Sequence, residues 1–513
     1  MSDGPRAGVP TPAPHRAPPA ADAWERFQSG ATARRLDMIR DPDLREQLRP
    51  HLGTPAVDDY LRLAEGLTGD AAHLGEEQEP DLVLVPGVMG SVLVSAGLGG
   101  VWWLDVRTRR RLDQLGLSAD GERDATPGAR ITPVAVDASY DAFCTAALAR
   151  DDFGHLTFPY DWRRPVPAAA AGLVDLVDDT YRRNGNRPVH LVAHSMGGLV
   201  VREALRQEPG LWDRVGRIVF IGTPHYGSPA IAGYLKNHFW GFDLLVLLGR
   251  HLSRATFRSL RGVLDLLPAP AGVYPGTRAA PGATAGAVDP GTHPCANFDL
   301  YDAGAYRLGL DPAEQAGLQQ ALDAAREFHV RLAEWHGALP QEHRDRMLVI
   351  AGVGYRTLFR LGYRPALGFL WEHMDRVTAR RPGDPHRDGD GRVPLVSAQL
   401  ESVGDTRYVR GEHGGLPAIP AVREAVFDWL AGRPVRLPAT PAGALAETLG
   451  DDRHADGPRS VAGHPAPAHP APGPAADDPG YLRLEPVDEA VLARYEAAAE
   501  SGRLPEFVRV KVF

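Results

Sequence analysis

Three residue types at three separate places in the chain could together cleave an ester: a serine in LVAHSMGGLVVREAL, an aspartate in HRDGDGRVPLVSA and a histidine in YVRGEHGGLP. A serine hydroxyl is a weak nucleophile at neutral pH. It needs an imidazole to take its proton, and the imidazole needs a carboxylate to hold it in place. Ser195 has Ala193 two residues before it and Gly197 two residues after it. Small residues at those positions are what a sharp strand-to-helix turn requires if the serine oxygen is to stand clear of the backbone. Asp390 and His413 follow in the order acid, then histidine, each behind an apolar run. Asp388, two positions away, competes for the acid role, whereas His386 comes too early and lacks a preceding strand pattern.

An acyl-transfer site must also hold the oxyanion that forms on the attacked carbonyl, which takes two backbone N–H donors. The residue after the nucleophile, Met196, offers one. The segment VPGVMGSVL offers the other, because Gly87 and Gly90 let its backbone bend so that the Met89 N–H, or less favourably that of Val88, points at the serine. The text DGDG at 388–391 resembles part of a calcium loop, but no acidic residue closes a twelve-residue loop behind it, so no metal is expected. No cofactor is expected either.

Six short apolar runs could position these groups: DLVLVPG, HLTFPYDW, PVHLVAHS, GRIVFIGTP, MLVIAGV and DTRYVRGE. They alternate with helical patterns, which predicts a mostly parallel sheet with helices on both faces. In such sheets the reactive crevice lies beyond the carboxyl ends of the strands, where the three motifs fall. The expected fold class is α/β, an α/β-hydrolase fold with an inserted cap or lid region at about 228–346. Within that insertion the apolar piece around Phe239, Trp240, Phe242, Leu244, Leu245, Leu247 and Leu248 reads either as a core-facing helix or as a lid.

The 513 residues include 56 glycines and 46 prolines, about a fifth of the chain, so long connections accompany the folded part. Residues 1–22 read as a disordered arm, 23–432 as the hydrolase domain, 433–478 as a Pro/Ala-rich linker, and 479–513 as a small β-α-β module that docks elsewhere. The net charge of -9 gives no reason to expect nucleic acid. Only Cys144 and Cys295 occur, which excludes a disulfide scaffold and leaves their pairing open. The first residues, MSDGPRAGVPTPAP, lack the apolar core of a secretory signal, and no run is long enough to span a bilayer, so a cytoplasmic location is expected.

Taken together, VPGVMGSVL, FPYDWR, AHSMGG, GTPHYGSP, DGDGRVP and EHGGLP resemble, in order, the motifs of the lecithin:cholesterol acyltransferase family. The resemblance implies Ser195, Asp390 and His413 as triad, Met89 and Met196 as oxyanion donors, and Tyr160, Asp161, Trp162 and Arg163 as part of the wall between site and lid. It implies a serine esterase, lipase-type hydrolase or O-acyltransferase acting on lipid esters, with transient contact to a membrane surface. Arg392, where the family commonly has threonine, and Ala193, in place of the usual elbow glycine, depart from the pattern. The alternative is a lipase-like effector, or an inactive lipid-binding protein, working in an assembly through residues 481–513.

Overall fold

The computed structural model describes residues 22–65, 80–103, 112–235, 253–277, 293–294, 298–355, 357–365, 372–378, 388–451 and 481–482. All six apolar runs become strands of one parallel sheet: β1 (Pro80–Val85), β5 (Gly154–Thr157), β6 (Val189–His194), β7 (Val215–Ile221), β8 (Met347–Val353) and β11 (Asp405–Arg410). Their order is β11-β8-β7-β6-β1-β5. Successive side chains alternate between the two faces, and in the central strands both faces are buried, which is why β1, β6, β7 and β8 are largely apolar, whereas the edge strands β5 and β11 are only partly buried and carry polar residues. Val83, Val85, Leu191, Ala193 and Phe220 enter one core layer with the helices Val166–Arg183, Gly197–Gln207 and Pro312–Ala338. Leu82, Leu84, Val192, Val219 and Ile350 enter the other, with the helices Asp141–Leu148 and Pro420–Leu430.

From β1 the chain moves outward to β5, and from β6 it moves the opposite way through β7, β8 and β11. The reversal opens a crevice beyond the carboxyl ends of β1 and β6, which pair in register at Leu84–Val192 and Val85–Ala193. Ser195 and the VPGVMG loop leave the sheet there.

Two smaller antiparallel sheets were not anticipated: β3 (Val101–Trp103), β2 (Ser91–Ser95) and β4 (Ile131–Val136) form one, and β9 (Leu358–Pro365), β10 (Glu372–Thr378) and β12 (Tyr481–Leu482) the other. Of the C-terminal module only β12 falls among the described residues. It pairs with Arg376 and Val377 of β10.

Before β1, four helices (Ala23–Gln28, Thr32–Arg40, Pro42–Leu52 and Thr54–Glu65) pack around Phe27, Leu36, Ile39, Leu48 and Val57 as a core of their own. The sequence reading opened the hydrolase domain at residue 23 without separating them. Their attachment is polar and buried. Arg35 donates to Asp141 at 2.7 Å, to the Val136 carbonyl at 2.6 Å and to the Phe27 carbonyl at 3.0 Å. Thr32 and Tyr60 donate to the same Asp141 carboxylate at 2.6 and 2.5 Å.

The first part of the segment expected as a linker, 433–451, includes residues packed on the main sheet. Pro441–Asp451 is a helix whose Ala444 packs on Ala351, Val353 and Tyr408, and the carbonyls of Leu437 and Pro438 accept from Arg407 and Tyr408 of β11. The prolines that read as an extended segment instead end one turn and begin a helix, since proline is favoured in a helix's first turn. Cys144 is a buried free thiol, pushed up to about 12 by burial, and Cys295 lies outside the described residues. Among the described residues no helix is long and apolar enough to cross a membrane.

Candidate active site

Ser195 sits between the end of β6 and the helix Gly197–Gln207 with φ of 52°, a left-handed conformation that a non-glycine residue adopts only when its surroundings impose it. Tight packing imposes it here. A Cβ on Gly197 would lie 2.4 Å from the Val85 carbonyl oxygen, and one on Gly87 would lie 2.8 Å from the Ser195 Cβ. Glycine at both positions lets the VPGVMG loop and the Ser195 turn approach each other.

His413 follows β11 and opens a short 3₁₀ turn, His413–Ala418. Its Nε2 is 2.9 Å from Ser195 Oγ and its Nδ1 is 2.7 Å from Asp390 Oδ2. A carboxylate only accepts, so Nδ1 carries the proton and Nε2 is left to receive the serine hydroxyl. Asp390 is itself held: its Oδ1 accepts from the Arg392 and Val393 N–H groups at 3.0 and 2.8 Å, and its carbonyl accepts from the His413 N–H at 3.0 Å. The competing Asp388 points elsewhere. Its Oδ1 accepts from the Gly354 and Gly389 N–H groups at 3.0 and 2.8 Å, which pins the loop to the end of β8.

The VPGVMG loop closes as a four-residue turn, with the Gly90 N–H donating to the Gly87 carbonyl at 3.1 Å and Met89 at φ of 61°. The Trp103 indole donates to the Met89 carbonyl at 2.8 Å and fixes that peptide's outward side. Among the described residues, the N–H groups of Met89 and Met196 donate to no acceptor. Both belong to residues beside Ser195.

Tyr160, Asp161, Trp162 and Arg163 lie one layer behind the cavity, and none of them lines it. The Tyr160 hydroxyl donates to the Pro86 carbonyl at 3.0 Å, and the Trp162 indole packs edge-on against Trp103 at 5.0 Å. Arg163, fully buried, donates to Asp161, to Asp124 and to the Leu115 carbonyl. Its own carbonyl accepts from the Gly262 N–H at 3.0 Å, so this segment joins the oxyanion loop to the inserted region.

Ser195 and His413 open on a cavity of about 60 Å³. Its other walls are apolar except for Ser228, Tyr234 and Arg392, whose guanidinium donates to the Tyr234 hydroxyl at 2.9 Å. Ile231, Phe257, Val263 and Leu266 come from the inserted region and went unnoticed in the sequence. Their signal is only the apolar character of a segment that begins beside the nucleophile. The piece from Trp240 to Leu248 lies outside the described residues.

The parallel sheet, the reversal of strand order and the strand–serine–helix turn at its carboxyl edge define an α/β-hydrolase. The family model "Lecithin:cholesterol acyltransferase" matches residues 150–274, so that stretch of the chain is similar to the family. It is similar to an uncharacterised protein of Saccharomyces cerevisiae, YJR098C, at 22% identity over 222 residues, 41% of this chain and 33% of that protein. It is also similar to the phospholipase A(1) LCAT3 of Arabidopsis thaliana, at 22% identity over 301 residues, 54% of this chain and 66% of that protein. The chain thus spans less than two thirds of either relative. Solved structures that it resembles include the Tle4–Tli4 complex, with TM-score 0.41, 15% identity and coverage of 69% of this chain and 98% of that one. Another is the mature lipase BlEst2 of Bacillus licheniformis, with TM-score 0.32, 14% identity and coverage of 69% and 93%.

Proposed function

We propose that this chain is a serine acyl hydrolase or O-acyltransferase that acts on lipid esters through an acyl-enzyme on Ser195. The observation that carries the reading is the hydrogen-bonded series Ser195–His413–Asp390 at the mouth of an apolar cavity. The hydroxyl proton of Ser195 passes to His413 Nε2 as Oγ bonds to the ester carbon, and the Met89 and Met196 N–H groups receive the oxyanion. Collapse breaks the ester C–O bond, and the leaving alcohol or lysolipid takes the proton from His413. Water or a second alcohol then repeats the sequence in reverse and frees Ser195. A cavity with apolar walls suits an acyl chain. The inserted region, 228–346, serves as its cap, a role supported by Phe257, Val263 and Leu266 in the cavity wall. The Arabidopsis relative's name, phospholipase A(1), supports a phospholipid among the esters, and the family's name supports an alcohol as acceptor.

The test is fluorophosphonate labelling followed by lipid profiling. Wild-type protein should be labelled at Ser195 and should consume a lipid ester, and absence of both would overturn the reading. The acid is tested by paired variants. Asp390→Asn should lower kcat by about 10²-fold or more, as orienting carboxylates do, while Asp388→Asn keeps near-normal kcat per folded molecule because its amide oxygen can still accept from Gly354 and Gly389. A reversed pair would move the acid to Asp388. The mechanism uses no metal, so turnover should be the same with and without EDTA. Loss of turnover in EDTA that zinc or calcium restores would contradict it.

A further inference from the structure

Next to the nucleophile lies a second imidazole that the proposed mechanism does not use. His194 is the last residue of β6, its side chain is 2% exposed, and its ring centroid lies 5.0 Å from that of His413. Its Nε2 is 3.0 Å from the His413 carbonyl oxygen, and its Nδ1 is 2.7 Å from the Tyr140 hydroxyl. The Gly87 N–H points at that same hydroxyl from 2.8 Å.

These contacts admit one arrangement of protons. A carbonyl only accepts, so His194 Nε2 carries the hydrogen and Nδ1 is bare. The Tyr140 hydroxyl must therefore donate to Nδ1, which leaves its oxygen to accept from the Gly87 N–H. Three hydrogen bonds then run in one direction, from Gly87 through Tyr140 and His194 to the main chain of His413. Burial agrees with this pattern, holding the His194 ring neutral, well below the ordinary imidazole range, and the Tyr140 phenol protonated, well above the ordinary phenol range. Tyr140 also braces the far side of the oxyanion turn, since a Cβ on Gly90 would meet its ring at 2.9 Å.

We propose that Tyr140 and His194 are positioning residues that set the distance between the oxyanion turn and the base. The inference rests on the assignment of Ser195, His413 and the Met89 N–H made above. Gly87 begins the turn that carries Met89, and the His413 carbonyl belongs to the residue whose imidazole serves Ser195. The relay therefore joins the two groups that must face one carbonyl carbon from different strands. Small displacements of such groups are costly in rate because the reacting atoms must sit within a narrow range of approach. A phenylalanine at 140 would fill the same volume and leave both the Gly87 N–H and His194 Nδ1 without a partner.

The experiment compares full-length wild type, Tyr140→Phe, His194→Gln and His194→Leu on a short-chain nitrophenyl ester and with a fluorophosphonate, well below each protein's Tm. Tyr140→Phe should lower kcat by about 10- to 100-fold with KM within twofold, the pattern of an interaction used in the transition state. Its rate of phosphonylation at Ser195 should fall by the same factor, because that reaction uses the same turn and base. Glutamine places an N–H close to where His194 Nε2 stands, so His194→Gln should recover part of the loss seen in His194→Leu. Wild-type kcat in folded Tyr140→Phe, or a change confined to KM, would overturn the proposal. If Tyr140→Phe does not fold, the comparison of His194→Gln with wild type decides by the same kcat criterion. Wild-type protein inert to both reagents would instead overturn the function proposed for Ser195.

Discussion

Ser195→Ala is expected to yield a folded protein whose ester hydrolysis is lower by about 10⁴- to 10⁶-fold, and His413→Ala should match it. The rate loss is large because the two residues act as a unit: without Oγ there is no acyl-enzyme, and without the imidazole the hydroxyl keeps its proton. The stability change is small because the Ser195 hydroxyl's recorded partner is His413, at the wall of an open cavity rather than in the sealed core. Ser195→Gly adds a control. At φ of 52° a residue with a Cβ carries strain that glycine avoids, so the glycine variant should be about 1 kcal/mol more stable than the alanine variant and equally inactive. Near-normal turnover by any of these folded variants would remove Ser195 and His413 from the mechanism.

The second large effect is on stability in acid. His194, His225 and His329 are each 2% exposed. Burial lowers all three imidazoles, with nearby Arg202 adding to the effect at His225 and His329; His194 and His225 lie well below the ordinary value and His329 at about 4. A base whose folded value is depressed binds its proton more readily when unfolded, so the native state loses stability as pH falls below about 6.5. Asp265 acts the other way. Burial raises its carboxyl to about 7, so between about 7 and 4 the folded state keeps a proton that the unfolded chain releases, and falling pH favours the fold. Asp137, raised by burial to about 6, acts with Asp265, but burial also lowers His155 and His190 to about 4, so the depressed imidazoles outnumber the raised carboxyls and the fold loses stability as pH falls from about 6.5 towards 4.5. Thermal melts across this range should show Tm dropping steeply below pH 6, and a Tm that holds steady or rises would refute the account.

How much of this could be read beforehand depended on how local the signal was. The central strands of the main sheet were legible because a parallel strand buried on both faces is apolar at nearly every position, as in β8, and the edge strands because each apolar stretch ends at Gly, Pro or a polar residue. The nucleophile turn was legible because its steric demands fall on neighbouring residues. The acid could be narrowed only to two aspartates. Whether Asp388 or Asp390 reaches His413 is decided by which way a glycine-flanked loop folds against β8, a tertiary matter. The motif PYDWR was visible, but not that Arg163 would be sealed between Asp161 and Asp124 behind the cavity rather than facing it. The relay through Tyr140 was illegible, since its partners lie 53 and 54 residues away and no spacing announces them. The four N-terminal helices were missed as a unit for the same reason: their Arg35 finds its carboxylate 106 residues later.

That separation fixes an order of events during synthesis. The helices leave the ribosome before the sheet, with the guanidinium of Arg35 due to be buried and its partner Asp141 not yet made. A charge cannot be sealed into an apolar core without a partner, and a cluster of about forty residues is too small to hold together without outside help. Asp141 is translated only after β1 to β4, so the helices settle onto the body of the protein only once those strands have been made. A segment translated before the sheet is therefore locked only after part of the sheet has been made, and the residue it locks onto, Asp141, adjoins Tyr140.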